Sequence, residues 1–220
     1  MSWDKLIPLI LDGLLDTLYM TIPSTALSYL IGMPLGILLV ISSKEGIRPM
    51  PVFQSILGMT INFLRSIPFI ILLVLLFPVT RAVMGKAIGT IPIIFPLVIS
   101  AFPYVARMVE GAIREVDLGV IEAAQSMGST DWQVIRKVMI PEALPSLLNG
   151  AAICMVTILG YTAMASAAGG GGLGALAITK GLNVGKFDIM YSASLTLVAM
   201  VQVMTLLGNQ ISRKTDHRIK

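Results

Sequence analysis

Charge is what this sequence has least of. Of its 220 residues only 13% are Asp, Glu, Lys or Arg, about half of the roughly 25% found in an ordinary water-exposed domain. Such a chain, 55% hydrophobic, cannot clothe a soluble fold, and a membrane protein of one compact domain follows. Cysteine is nearly absent too: the single Cys154 lies in an apolar run, which excludes disulfides and cysteine-based metal clusters. The one histidine, His217, leaves no room for His-based catalysis. There is no H-E-x-x-H, no G-x-S-x-G and no base to activate Ser100 or Ser166, so an intramembrane hydrolase lacks its chemistry.

What is present is long uncharged sequence. A hydrocarbon core of about 30 Å needs about 20 helical residues at about 1.5 Å each. Uncharged intervals run over 17–43 (27 residues), 87–106 (20), 143–179 (37) and 189–212 (24), which predicts four spans. The stretch 49–80 is interrupted only by Arg65, and its half SIPFIILLVLLFPVT (66–80) is too apolar for water. A fifth span within 52–80 is therefore expected. Arg65 then sits near an interface or faces the protein interior, because an arginine at mid-bilayer costs at least about 2.5–3.5 kcal/mol.

Five spans put the termini on opposite sides. With the N-terminus outside, the inner segments hold Lys44, Arg48, Arg107, Arg114, Arg136, Lys137, Arg213, Lys214, Arg218 and Lys220, and the outer ones only Lys5, Arg81, Lys86, Lys180 and Lys186. The excess of inner basic residues predicts N-out, C-in. The acidic start, with Asp4, Asp12 and Asp16, agrees and argues against a cleaved signal peptide. The net charge of +4 is thus a matter of topology, and no nucleic-acid partner is needed to explain it.

Several spans carry helix-breaking residues: Pro23 and Pro34 in the first, Pro68 and Pro78 in the second, Pro92, Pro96 and Pro103 in the third. Such breaks are tolerated where neighbours or water satisfy the freed carbonyls. Gly32-Met-Pro-Leu-Gly36 has the small-xxx-small spacing that lets helix backbones approach, and helix packing is its expected role. Gly169-Gly-Gly-Gly-Leu-Gly174 formally satisfies G-x-G-x-x-G, but it follows a membrane helix and not a strand. A flexible outer loop, or a close contact beneath a docking protein, is expected there.

The longest polar interval, about 107–145, reads as an ordered knob. Asp117 can cap a short helix through Glu122 to Met127, and Gly128 supplies a left-handed stop. Thr130-Asp-Trp-Gln133 has capping-box spacing for a second helix, expected to end at Pro141. On it Ile135, Val138 and Met139 share a face while Arg136 and Lys137 point elsewhere. Such a knob could read DNA, clamp a membrane surface or plug a groove on a partner protein. DNA reading needs more basic residues than Arg136 and Lys137 on the second helix.

The order of residues narrows the choice. Glu122-Ala-Ala-Gln-Ser-Met-Gly128 followed by Ile140-Pro-Glu-Ala-Leu-Pro145 resembles the EAA loop of bacterial ABC-importer permeases. Asn62-Phe-Leu-Arg-Ser-Ile-Pro-Phe-Ile-Ile-Leu-Leu-Val74, Ala106-Arg-Met-Val-Glu110, Arg136-Lys-Val138 and Gly160-Tyr-Thr-Ala-Met164 look like the methionine-import branch of that family. The chain departs from the pattern at Thr162 and at Ala165 to Ala168.

The resemblance implies an all-α polytopic permease of the type I importer kind, a single transmembrane domain over 1–220 with its coupling loop at about 110–145. It implies a multi-pass protein of the bacterial inner membrane, working as a homodimer with two ATP-binding cassette subunits and an extracytoplasmic substrate-binding protein. The cargo would be an amino acid, methionine above all; the 14 methionines do not bear on that, because Met is a common filler of membrane cores. By the same resemblance Glu122, Ala123, Ala124, Ser126, Met127, Gly128, Pro141, Glu142 and Pro145 would carry the ATPase contact. ATP and Mg would belong to the partner: Gly85-Lys86 is followed by Ala87 and Gly185-Lys186 by Phe187, so the chain has no G-x-x-x-x-G-K-[ST] and no cofactor of its own is expected.

For the pathway, Met164 among Ala163, Ala165 and Ser166 is a candidate gate that could meet its two-fold mate, with Tyr161 beside it; filling a packing gap is its alternative role. Arg65, Ser66 and Pro68 at a broken helix are candidates for shaping the pathway, and a snorkelling interfacial arginine is the alternative. A secondary transporter driven by an ion gradient is the rival class. It would need ionisable groups at midplane, and the four clean spans have none, although serine and threonine pairs could hold sodium.

Overall fold

The first helix, α1, runs from Trp3 to Ile41 through Pro8, Pro23 and Pro34 in a computed structural model that describes residues 3–215. His217, Arg218 and Lys220 lie outside the described residues. At about 1.5 Å per residue α1 is roughly 58 Å long and outruns a bilayer core. Three of its buried hydroxyls are satisfied within the helix: Thr17, Thr21 and Thr25 each donate to the carbonyl four residues back, at 2.7, 2.7 and 2.8 Å, whereas those of Ser24 and Ser28 are buried without a partner. The threonine bonds let a polar stripe sit in an apolar core.

Helix α5 (Ile94–Arg114) packs along α1. The contact is made by the two glycines of the small-xxx-small motif. A Cβ on Gly32 would stand 2.7 Å from the Phe102 carbonyl oxygen, and one on Gly36 would stand 2.5 Å from that of Ala106. Val105 and Val109 fill the grooves and are fully buried. The third span therefore starts later and ends later than the charge gap 87–106 suggests. Gly89, at φ +119°, and Pro92 keep the approach non-helical, while Arg107, Glu110 and Arg114 pair along one helix face, so charge does not end the helix.

The interval 52–80 is not one straight span. Helix α2 (Pro51–Ser66) and helix α3 (Phe69–Leu75) meet at 97°. Pro68 forces the preceding Ile67 into an extended conformation (φ −82°, ψ 119°) and its own carbonyl starts α3 by accepting the Ile71 and Leu72 amides at 3.0 Å. Helix α4 (Phe77–Met84) follows, with Pro78 in its first turn, and stops at Gly85, φ 74°. Among the described residues four helices are long and apolar enough to cross a membrane, five if the bent pair counts as one.

Beyond α5, helix α6 (Leu118–Ser126) and helix α7 (Asp131–Val134) form the knob. The expected stop at Pro141 does not occur. A π-helical turn over Ile135–Met139 carries α7 directly into helix α8 (Ile140–Ala165). The Ile140 amide reaches back five residues to the Ile135 carbonyl, and Pro141 falls in the first turn of α8, where a missing N–H is tolerated.

The glycine run is likewise not a flexible loop. After Gly169 (φ 90°) the chain folds back as helix α9 (Gly172–Ala175) and a π turn (Leu176–Leu182). Gly170, Gly172 and Gly174 are buried. A Cβ at Gly172 would lie 2.5 Å from Thr17 Oγ1, and one at Gly174 would lie 2.7 Å from Ala163 Cα. The Leu173 amide donates to Thr17 Oγ1 at 2.9 Å. Helix α10 (Phe187–Thr215) closes the structure against α8 and tethers its Ser212 hydroxyl to the Pro145 carbonyl at 2.9 Å.

The seam between α1 and α5 is testable. Gly36→Leu overpacks it and should destabilise the protein by about 1–3 kcal/mol, seen as a lower unfolding midpoint in detergent. Gly111→Ala, at a site with nothing within 4 Å of the new Cβ, should leave the midpoint unchanged or raise it.

Candidate functional site

The knob is built by local rules. The Asp117 carboxylate accepts the Gly119 amide at 2.6 Å and opens α6. Gly128 closes it at φ 80° with its amide on the Gln125 carbonyl at 2.9 Å. At α7 the capping box is complete: Thr130 Oγ1 accepts the Gln133 amide at 3.4 Å, and Gln133 Oε1 accepts the Thr130 amide at 2.9 Å. Underneath, Val116, Ile121, Ala124, Val134, Ile135 and Met139 are buried in the main core.

The outer face of the knob is apolar in a way the sequence patterns did not signal. Leu118, Val120, Met127 and Trp132 are exposed, Met127 by 79% and Trp132 by 66%. Glu122, Ala123, Ser126 and Gly128 share that exposed side, whereas Ala124 points into the core. Pro141 and Glu142 are exposed on the first turn of α8, separated from α6 by α7 and the π turn. Pro145 is half-buried and engaged with α10. The coupling residues named from the resemblance thus fall into two groups on different elements.

The pathway candidates are partly brought together. Phe69, the residue after Pro68, stacks on Tyr161 with centroids 4.6 Å apart and planes 5° from parallel, so the broken helix touches α8 at that tyrosine. Met164 is exposed on α8, three residues beyond Tyr161. Ser166 is buried, its hydroxyl donating to the Ala163 carbonyl at 2.6 Å, and faces no open space. Arg65 and Ser66 are exposed at the end of α2, and the Ser66 hydroxyl donates to the Asn62 carbonyl at 2.8 Å.

A buried ion cluster escaped the sequence reading. Glu110 is 8% exposed and lies between Arg107, at 2.7 Å, and Arg114, at 3.0 Å. Its signal was the i, i+3 and i, i+4 spacing of 107, 110 and 114, which places the three on one helix face.

With that geometry, known proteins give a consistent frame. The sequence model of the binding-protein-dependent transport system inner membrane component matches residues 32–220, and the chain belongs to that family. It is 43% identical over 210 residues to the probable D-methionine transport system permease protein MetI of Vibrio cholerae, covering 96% of this chain and 93% of that one. It is 44% identical over 156 residues to the D-methionine transport system permease protein MetI of Escherichia coli K12, covering 71% and 72%. Among solved structures, an inward-facing conformation of the MetNI methionine ABC transporter superposes with a TM-score of 0.96 at 39% identity, covering 99% of this chain and 100% of that one. An amino acid ABC transporter, at TM-score 0.71 and 24% identity, shares the fold.

The local devices have measurable weight. Thr130→Ala removes a cap at about 1 kcal/mol, and Gly128→Ala forces a Cβ into the left-handed region at a similar cost. Both should speed amide hydrogen exchange across 118–134 and leave α1 and α5 protected.

Proposed function

We propose that this chain is the membrane-spanning subunit of an ATP-driven importer that moves methionine into the cytoplasm. It works as a homodimer with two ATPase subunits and an extracytoplasmic binding protein. The observation that carries the reading is the knob: a capped, rigid element, outside the long apolar helices, that presents Met127, Trp132, Leu118 and Val120 to solvent around Glu122. A soluble surface does not expose so many large apolar groups together unless something covers them, and aromatic and methionine side chains are the usual anchors of protein interfaces. Its place beside the EAA motif supports the ATPase subunit as the occupant.

The topology supports an N-out, C-in orientation with the knob in the cytoplasm. Asp16, Thr90 and Gly171 gather at one end of the bundle, and Ser43, Ile47, Ile113, Ile121 and Met139 at the other. The second end is the one rich in Lys and Arg. ATP binding by the partners would draw the two knobs together and tilt α8, which each knob joins without a break through the π turn. The ATP and Mg remain on the partner, and this chain contributes the transmission. Specificity is placed in the binding protein, because the exposed residues at the end of α8 and just beyond it, Gly160, Met164 and Ala167, carry no charge or strong hydrogen-bonding group.

The test reconstitutes the permease with its ATPase and binding protein in liposomes. Met127→Asp and Glu122→Ala should weaken copurification of the ATPase about tenfold or more and abolish ATP-driven uptake of labelled methionine, with the dimer still inserted. Uptake by the wild type that ignores ATP and follows a proton or sodium gradient would replace this reading with a secondary transporter.

A further inference from the structure

Helix α2 is held to the rest of the chain by little apolar contact. Only Gly58 and Ile61 of its 16 residues are buried, and Val52, Ile56, Met59 and Phe63 are exposed. Its firmest tie is polar and comes from one residue of α5. The Arg107 guanidinium donates from Nη2 to the Gly58 carbonyl at 2.9 Å, from Nε to Asn62 Oδ1 at 3.1 Å and from Nη1 to Glu110 Oε2 at 2.7 Å. Three directions of the fork are used at once, and only a planar guanidinium can do that. Gly58 leaves room for the approach: a Cβ there would stand 3.2 Å from Nη2, so the guanidinium would have to give by a few tenths of an ångström.

The contacts continue in both directions. Toward the membrane, the Asn62 carbonyl accepts the Ser66 hydroxyl at 2.8 Å, immediately before the 97° break that leads to Phe69 and its stack on Tyr161. Toward the knob, Glu110 Oε1 accepts Arg114 from Nη2 at 3.0 Å and from Nε at 3.2 Å. The next residue, Glu115, accepts the Ser146 hydroxyl of α8 at 2.5 Å, and Asp117 caps α6. Buried and already paired with Arg114, Glu110 holds Arg107 in the rotamer that reaches α2.

We propose that Arg107, held by Glu110, is the positioning residue that links displacement of the knob to the broken helix α2–α3. The proposal rests on the importer reading, because it gives the link a motion to carry. Arg107 acts through Asn62 and Gly58. When the end of α5 moves with the knob, the two bonds to Gly58 and Asn62 oblige α2 to follow, and the break at Ile67–Pro68 turns that movement into a change of angle of α3 against Tyr161. Without the bonds α2 is left with two buried residues and slips. Coupling of this kind is a free energy shared by two sites, so its loss shows as uptake per ATP and not as hydrolysis alone.

The experiment uses the full transporter in proteoliposomes, with wild type alongside. Arg107→Lys keeps the charge and loses the fork; Asn62→Ala keeps both ion pairs and removes one tie. Each should lower methionine uptake per ATP hydrolysed, Arg107→Lys by about tenfold and Asn62→Ala by less, while hydrolysis stays within about twofold of wild type. Glu110→Gln should behave like Arg107→Lys, and adding Asn62→Asp to it, which returns a carboxylate to Arg107, should restore the ratio. Should Arg107→Lys fail to fold, Asn62→Ala carries the test, since it leaves the buried cluster whole. An unchanged ratio, a parallel fall of hydrolysis and uptake in folded dimers, or no recovery with Asn62→Asp overturns the link and leaves the importer reading intact. Absence of ATP-driven uptake by the wild type instead defeats the importer reading itself.

Discussion

The approach of α1 and α5 at Gly32 and Gly36 is the constraint on which the other elements depend. Backbone atoms of α5 come as near as a hydrogen on each glycine allows, and the rest of the core is assembled around that seam. In a bilayer there is no hydrophobic gain from packing one apolar helix on another in place of lipid, so association must come from close van der Waals fit and from polar ties. Gly32 and Gly36 supply the fit for the two best-buried helices. Tethers such as Thr17 to Leu173 and Ser212 to Pro145 supply the rest, each joining segments far apart in sequence.

The same constraint explains where the chain is irregular. Non-helical backbone at membrane depth survives only where protein covers it. The glycine run after α8 meets that condition by burying its backbone on α1, Ala163 and Ala165, with Thr17 as hydrogen-bond partner. The break at Ile67–Pro68 meets it differently, by turning the Pro68 carbonyl into the first acceptor of α3. The π turn at Ile135–Met139 inserts one extra residue where Pro141 would otherwise demand a stop. Each irregularity has its own local compensation, and none of them loosens the seam.

Much of this was legible in the residues. Uncharged length located the long helices because the bilayer imposes one scale on all of them. The caps at Asp117 and Thr130 and the stop at Gly128 were legible because capping is decided within four residues. The failures came where the deciding partner lies far away in sequence. Charge gaps placed the third span too early, since a gap cannot register that Arg107 and Arg114 both pair with Glu110 on one helix face. The glycine run read as a loop because composition does not reveal that Thr17, some 156 residues earlier, fills the space left by missing side chains. Proline read as a stop at 141 because the rule assumes α-helical bonding on its N-terminal side. The candidate site divided along the same line: Glu122, Ala123, Ser126 and Gly128 lie together on the knob, whereas the separation of Pro141, Glu142 and Pro145 on α8 and the stack of Phe69 on Tyr161 needed the fold.

A transporter subunit has to be rigid enough to transmit and loose enough to move, and the distribution of contacts in this chain meets both needs. α1 and α5 are bound by backbone approach along the seam. α8 is continuous with the knob, so one helical path joins α7 to the Tyr161–Met164 region. α2 and α3 are the opposite case, with few buried side chains on α2, a sharp bend and a polar tie to α5. Apolar packing has no preferred register along a helix axis at this level of contact, but a guanidinium with three fixed acceptors does. A loosely packed helix fastened by a directional contact can change its angle without losing its place, and α2 combines the two.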